Sequence, residues 1–225
     1  MTNQTLEIAL LTLKPGTDLT VGDAKAVWDE ALPIISSQKG CNAVYYGRQT
    51  ENPDIAQFVV DWESLDAHKA FAASPAYGPF LGKIATLLAA PPQVFHLSVP
   101  AEYPTSVPLS APVTECLSLY FDPSYENADF NSNWAKFVKR AYELEKESGG
   151  IGVTGGFSLE PHKHKNLAAE GEEEGAAKLF GIFIGWPSIE KHLEFRNSEA
   201  MTTIRPYIQE GPKGMSVYHV AFKKL

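Results

Sequence analysis

Six histidines stand in this 225-residue chain, and four of them form two matched pairs, His68 with His96 and His192 with His219. An imidazole titrates near neutrality, so it is a natural general base for a proton held by a weak carbon or oxygen acid. His96 lies in Val94-Phe95-His96-Leu97 and His219 in Val217-Tyr218-His219-Val220, both apolar runs that read as strands. Side chains alternate along a strand. The greasier set, Phe95, Leu97 and Val99, is expected under the helices, as are Tyr218, Val220 and Phe222. Val94, His96 and Ser98, and likewise Val217, His219 and Ala221, would then face a space between two sheets. His96 is the first candidate base and His219 the second. The alternative is a pair of hydrogen-bonded core histidines without catalytic duty.

Tyr45, Tyr46 and Arg48 share another expected strand. If Val44, Tyr46 and Arg48 face the cavity, Tyr46 and Arg48 would hold a phenolate or carboxylate; a one-residue slip gives that role to Tyr45. The second half has Gly-Val-Thr-Gly-Gly-Phe at this place, an asymmetry that would open a pocket on one side only or reflect drift. His68 and His192 are expected in first helical turns, with a shared structural task such as bonding a loop carbonyl. Trp62 and Trp186 close strands, where they serve packing and can also flank a planar ligand. His162 and His164, near Glu172–Glu174, have a spacing that would suit a metal in an extended chain, but such runs are commonly solvated, and no metal site is expected.

The elements that must position these groups follow from a repeat. Trp62-Glu-Ser-Leu-Asp-Ala-His68-Lys-Ala-Phe71 answers to Trp186-Pro-Ser-Ile-Glu-Lys-His192-Leu-Glu-Phe195, an offset of 124 residues that takes 62 to 186 and 68 to 192. The pattern W-x-S-[LI]-x-x-H-x-x-F and the later histidine tetrapeptides recur in register. Each copy reads strand, helix, strand, strand, helix, strand. In the first, strands are expected at 6–13, 42–48, 55–62 and 94–99 with a helix at 21–37. In the second, strands are expected at 114–121, 151–159, 179–186 and 217–222 with a helix at 130–147. Gly40 and Gly149-Gly150 would end the long helices, and Ser64 and Ser188 would cap the short ones.

The fold class is therefore α+β: two tandem ferredoxin-like β-α-β-β-α-β modules, expected to pack as an intramolecular dimeric α+β barrel. The first module spans residues 1–99 and the second 113–225. Between them, 100–112 reads as an extended proline-rich linker, and 162–177 as a solvated, mobile loop insertion. A single chain should be self-sufficient, with a homodimer as an option through exposed edges.

Composition excludes several function classes. The formal net charge is −8, so no nucleic-acid partner and no anionic membrane surface is expected. Neither a signal peptide nor a membrane span is visible, which makes the expected location cytoplasmic. Cys41 and Cys116 have no metal or disulfide spacing. No phosphate loop, dinucleotide fingerprint, nucleophile elbow or His-Glu-x-x-His motif occurs, and no cofactor is expected.

The run Trp62-x-Ser64-x-x-Ala67-His68-x-x-Phe71-x-x-Ser74-Pro75-x-Tyr77 resembles the antibiotic biosynthesis monooxygenase family of dimeric α+β barrels. The likeness covers residues 6–99 and extends more weakly to 114–223 through the repeat. It implies a protomer pair made covalent, and an apolar, aromatic or polyketide-like secondary metabolite as substrate. Similar barrels include cofactor-free monooxygenases, polyketide cyclases, isomerases, decarboxylases, haem-degrading enzymes and proteins without known activity. The resemblance favours a cofactor-independent monooxygenase in which His96 removes a proton and Tyr46 and Arg48 hold the anion. A cyclase, isomerase or decarboxylase on the same fold is the alternative. A non-catalytic barrel that binds a hydrophobic ligand or serves a stress role is the rival, and a haem enzyme would declare itself by a Soret band.

Overall fold

The computed structural model describes residues 3–225, and the chain divides into two compact units. One runs to Ala101 and also takes Ala221–Leu225; the other is Glu102–Val220. Each has the expected β-α-β-β-α-β order.

In the first unit β1 (Gln4–Thr12), β2 (Cys41–Arg48), β3 (Ile55–Trp62) and β4 (Gln93–Val99) form an antiparallel sheet in the order β2-β3-β1-β4. Helix α1 (Gly22–Ser36) buries Trp28, Ala31, Leu32 and Ile35, a stripe with the i, i+3, i+4, i+7 spacing of one helical face. That stripe packs on Ala9, Leu11, Ala56, Phe58 and Val60 of the sheet. Trp28 stacks on Phe58 with ring centroids 4.8 Å apart. Helix α2 (Leu65–Ala72) starts where Ser64 accepts a hydrogen bond from the Ala67 amide, and α3 (Tyr77–Ala85) follows it.

The second unit opens with α4 (Ser106–Leu109) inside the segment expected to be an extended linker. Leu109 there is fully buried, so apolar burial overrides the proline-rich composition. Strands β5 (Val113–Phe121), β6 (Val153–Ser158) and β8 (Gly175–Trp186) pair antiparallel in the order β6-β8-β5. The sheet is completed on β5 by β9 (Gly214–Val220), which ends two residues before the expected Phe222. Helix α5 (Asn127–Glu143) buries Phe130, Trp134, Phe137 and Val138, and α6 (Glu145–Ser148) ends on Gly149, whose φ of 73° needs no side chain. Gly40 is not itself a helix cap, since α1 ends at Ser36. It has φ of 84° in the turn into β2, where a Cβ would lie 2.6 Å from that of Ala67.

The insertion carries regular structure on its first limb. Strand β7 (His162–His164) pairs with Gly175–Ala177 of β8, and a 3-10 turn at Lys165–Leu167 closes the excursion. A β-ladder supplies the backbone partners that composition alone did not foretell. Helices α7 (Ile189–Arg196), α8 (Glu199–Ile204) and α9 (Pro206–Gln209) then lead to β9. The last strand, β10 (Lys223–Lys224), pairs with Tyr46 and Tyr45 of β2.

Candidate active site

Each unit holds the same buried polar cluster, built on the side of the sheet that faces the helices. In the first, Glu7 of β1 stands opposite His96 of β4 and Val60 of β3. The Trp62 indole N–H donates to Glu7 Oε2 at 2.7 Å, and His68 Nε2 lies 3.5 Å from the same oxygen. His68 Nδ1 and His96 Nε2 share a hydrogen bond of 2.6 Å. In the second, Trp186 donates to Glu115 Oε2 at 3.0 Å, His192 Nε2 lies 3.3 Å from Glu115 Oε1, and His192 Nδ1 is 2.8 Å from His219 Nε2. All eight residues are buried.

This corrects the expected faces. Ala9, Leu11, Phe58 and Val60 mark the helix side, and register puts Glu7 and His96 there too. Phe95, Leu97 and Val99 take the other side. Several strands are out of water on both faces; β3, for example, is buried from Ala56 to Trp62. Greasiness therefore could not show which face lies under the helices. His68 and His192 each stand beside a carboxyl and share a hydrogen bond with a second histidine. The sequence reading missed Glu7 and Glu115. An acidic residue inside Leu-Glu-Ile and Thr-Glu-Cys, at the same place in both first strands, was the available signal.

Burial raises the Glu7 carboxyl above its ordinary range, against the opposing pull of the Trp62 hydrogen bond and of His96. In the second unit burial pushes Glu115 up to about 7, with Trp186 and Arg196 pulling the other way. A carboxyl poised there can accept a proton at neutral pH.

What surrounds the two clusters differs. Tyr77 and Phe80 pack edge to face and tilted against Phe71 in the first unit. Counting from Trp62 and Trp186, the same positions in the second unit carry Met201 and Ile204. There a cavity of about 60 Å³ opens between sheet and helices, lined by Glu115, His192, Trp186 and Arg196 among apolar neighbours such as Phe137 and Ile204. A second space of about 150 Å³ shares Glu115, His192, Arg196 and Met201. Met201 borders both, and a thioether side chain shifts easily between rotamers. His219 lines neither space; it stands behind His192.

The remaining sequence candidates fall elsewhere. Val44, Tyr46 and Arg48 do share one face, the helix-facing one, and Tyr46 and Arg48 line a cleft with Trp28. Tyr45 is buried on the opposite face, with Lys224 Nζ 5.8 Å from its ring centroid. Three inter-strand spacings separate β2 from β4, so Tyr46 and His96 are about 15 Å apart and cannot grip one small anion together. Of the second unit's glycines, Gly150 and Gly152 border the 60 Å³ cavity, whereas Gly155 opens no space. A Cβ on Gly155 would lie 2.6 Å from the Gly181 oxygen and 3.2 Å from Trp134 Cζ2, so the space is already filled. His164 stacks on Tyr120, its Nδ1 accepts the Asn166 amide, and His162 Nε2 is 2.8 Å from Ser158 Oγ. Glu7, His68 and His96 bring three metal-ligating atoms within 4.8 Å of one another. Yet the bond between His68 Nδ1 and His96 Nε2 is shorter than the roughly 3 Å or more that separates two nitrogens sharing a metal at about 2.1 Å.

Residues 6–82 match the family described as antibiotic biosynthesis monooxygenase. Among solved structures, an anthrone oxidase-like protein covers 100% of this chain and 93% of its own at 10% identity, with a TM-score of 0.67. A candidate monooxygenase from Lactobacillus acidophilus covers 98% and 94% at 11% identity, TM-score 0.59. A candidate antibiotic biosynthesis monooxygenase from Bordetella bronchiseptica is 32% identical over 42% of this chain and 94% of its own, TM-score 0.38. No curated protein sequence matches the chain. The two whole-chain likenesses establish the fold across both units.

Proposed function

Residues 6–82 belong to the antibiotic biosynthesis monooxygenase family, and from that premise we propose that the chain oxygenates a small phenolic or enolic aromatic in the second unit's cavity. One observation carries the reading: a carboxyl that titrates near neutrality, fixed by Trp186 and His192, opens onto an apolar cavity.

Glu115 takes the acidic proton of the substrate. Trp186 holds the carboxyl in place, and the bond from His192 to His219 offers the proton an onward route. Arg196, at the cavity wall, balances the charge of the substrate anion. The electron-rich anion carbon then bonds to dioxygen, and loss of water from the resulting hydroperoxide leaves a carbonyl. For 1-naphthol the balance is naphthol plus O₂ giving 1,4-naphthoquinone plus water, with both electron pairs supplied by the substrate. Size supports a substrate of one or two rings. The larger space, about 150 Å³, matches the roughly 150 Å³ that accepts benzene in an engineered protein cavity, and a second ring would enter the adjoining 60 Å³ space if Met201, which borders both, swung aside.

An oxygen electrode with 1-naphthol tests this. One naphthoquinone should appear per O₂ consumed, and Glu115→Gln should lower the rate by about 10²-fold or more. A cyclase, isomerase or decarboxylase would use the same proton abstraction, but turnover would continue under nitrogen. No uptake above buffer across a series of one- and two-ring phenols, or equal rates in the variant, would defeat the proposal.

A further inference from the structure

We propose a second small-molecule site, in the first unit, that takes a planar aromatic carboxylate. It is the cleft of about 490 Å³ between α1 and the β2 edge, lined by Trp28, Tyr46, Arg48, Lys223 and Asp18. Its volume falls in the range of small-ligand pockets, roughly 300–1,000 Å³.

Three independent features point to this ligand. The Arg48 guanidinium donates through Nη2 to the Thr17 carbonyl, which fixes its plane, while its Nε is shielded from water and has no hydrogen-bond partner among the described residues. An arginine donor left without an acceptor is costly, and a carboxylate fits the guanidinium fork with two parallel bonds. Lys223 adds a second cation. Its register partner is Tyr46, and cross-strand partners point to the same side, so the ammonium stands with Tyr46 and Arg48. The other lysine at the cleft, Lys25, is paired with Asp29. Asp18 accepts from Thr20, and it is close enough to Arg48 for the guanidinium to help hold its carboxyl below the ordinary range. The two aspartates leave one of the three cations in excess. Arg48 and Lys223 thus make a cationic cleft in a chain of net charge −8. The ring end is supplied by Trp28 and Tyr46, set edge to face with centroids 5.9 Å apart.

The second unit shows what this place becomes when no ligand is served. Counting from the two closing tryptophans, Tyr46, Arg48 and Ala56 correspond to Gly155, Phe157 and Phe180. Phe157, Phe180 and Phe130 there pack against one another, with Phe157 and Phe180 at 4.9 Å. Charge and room are replaced by aromatic packing.

Calorimetric titration of the full chain with benzoate tests the site, with benzamide and inorganic phosphate as comparisons. Benzoate should bind saturably, one per chain, and benzamide at least tenfold more weakly. Arg48→Gln should weaken benzoate at least tenfold, and Lys223→Gln should weaken it severalfold. Lys223 is exposed on a two-residue strand, so its variant gives a reading even if Arg48→Gln folds poorly. Glu115→Gln should leave benzoate binding unchanged, which separates this site from the second unit's cavity. No saturable binding, or unchanged affinity in the Lys223 and Arg48 variants, would overturn the proposal. So would phosphate displacing benzoate with equal potency, since that describes a bare anion cradle. Loss of binding in Glu115→Gln would place benzoate in the other cavity and overturn it as well.

Discussion

Glu115→Gln should remove a pH dependence from the stability of the second unit. In the unfolded chain the carboxyl ionises at its ordinary 4.5, whereas in the fold it keeps its proton up to about 7. Below 4.5 both states are protonated and the group costs nothing. Between 4.5 and 7 the unfolded state sheds its proton first, so folding loses about 1.4 kcal/mol per pH unit. Over that window the loss totals about 3 kcal/mol, and above it the penalty is constant. Glutamine carries no proton to lose and can still accept from the Trp186 indole. Urea unfolding of wild type and variant from pH 4 to 8 gives the difference between them, in which all other groups cancel. The variant should gain about 3 kcal/mol on wild type between pH 4.5 and 7. A flat difference, or one that falls with pH, would show that Glu115 ionises normally and would remove the physical basis of its role.

Met201→Tyr copies the first unit's Tyr77 into the cavity wall. It should abolish binding of 1-naphthol, measured by equilibrium dialysis, while keeping the unfolding midpoint; undiminished binding would put the substrate elsewhere. Gly155→Ala should destabilise by roughly 1–3 kcal/mol, because its Cβ has no room beside the Gly181 oxygen and Trp134. Gly82→Ala, with nothing within 4 Å of its Cβ in helix α3, should be neutral or stabilising by up to about 1 kcal/mol. Thermal unfolding of the two variants side by side checks the contrast.

The fold was legible because the repeat made each half a control for the other. Trp62 and Trp186 end matched strands, and Ser64 and Ser188 cap matched helices, as their positions before His68 and His192 imply. The chemistry was half legible. Histidine pairs were visible, but their partners were not, since Glu7 lies 55 residues before Trp62 and Glu115 lies 71 before Trp186. Pairing of β1 with β3, and of β5 with β8, brings them together, and no local pattern encodes that distance. The face of His96 was misread for a related reason. Phe95 and Leu97 look like core residues, and Leu97 is fully buried, but on the side away from the helices. The short strand at His162–His164 was invisible because the segment's composition is dominated by glutamate and glycine, while only a three-residue ladder to β8 holds its ends.

The pH profile of 1-naphthol oxygenation tests most directly whether the Glu115 carboxyl is the base. Wild-type kcat/KM should rise with pH through a midpoint near 7, as the buried carboxyl ionises in the free enzyme. In Glu115→Gln that rise should vanish along with about 10²-fold or more of the rate. A wild-type profile that is flat from pH 5 to 9, or a midpoint near 7 that persists in the variant, would contradict the assignment and return the base to a histidine.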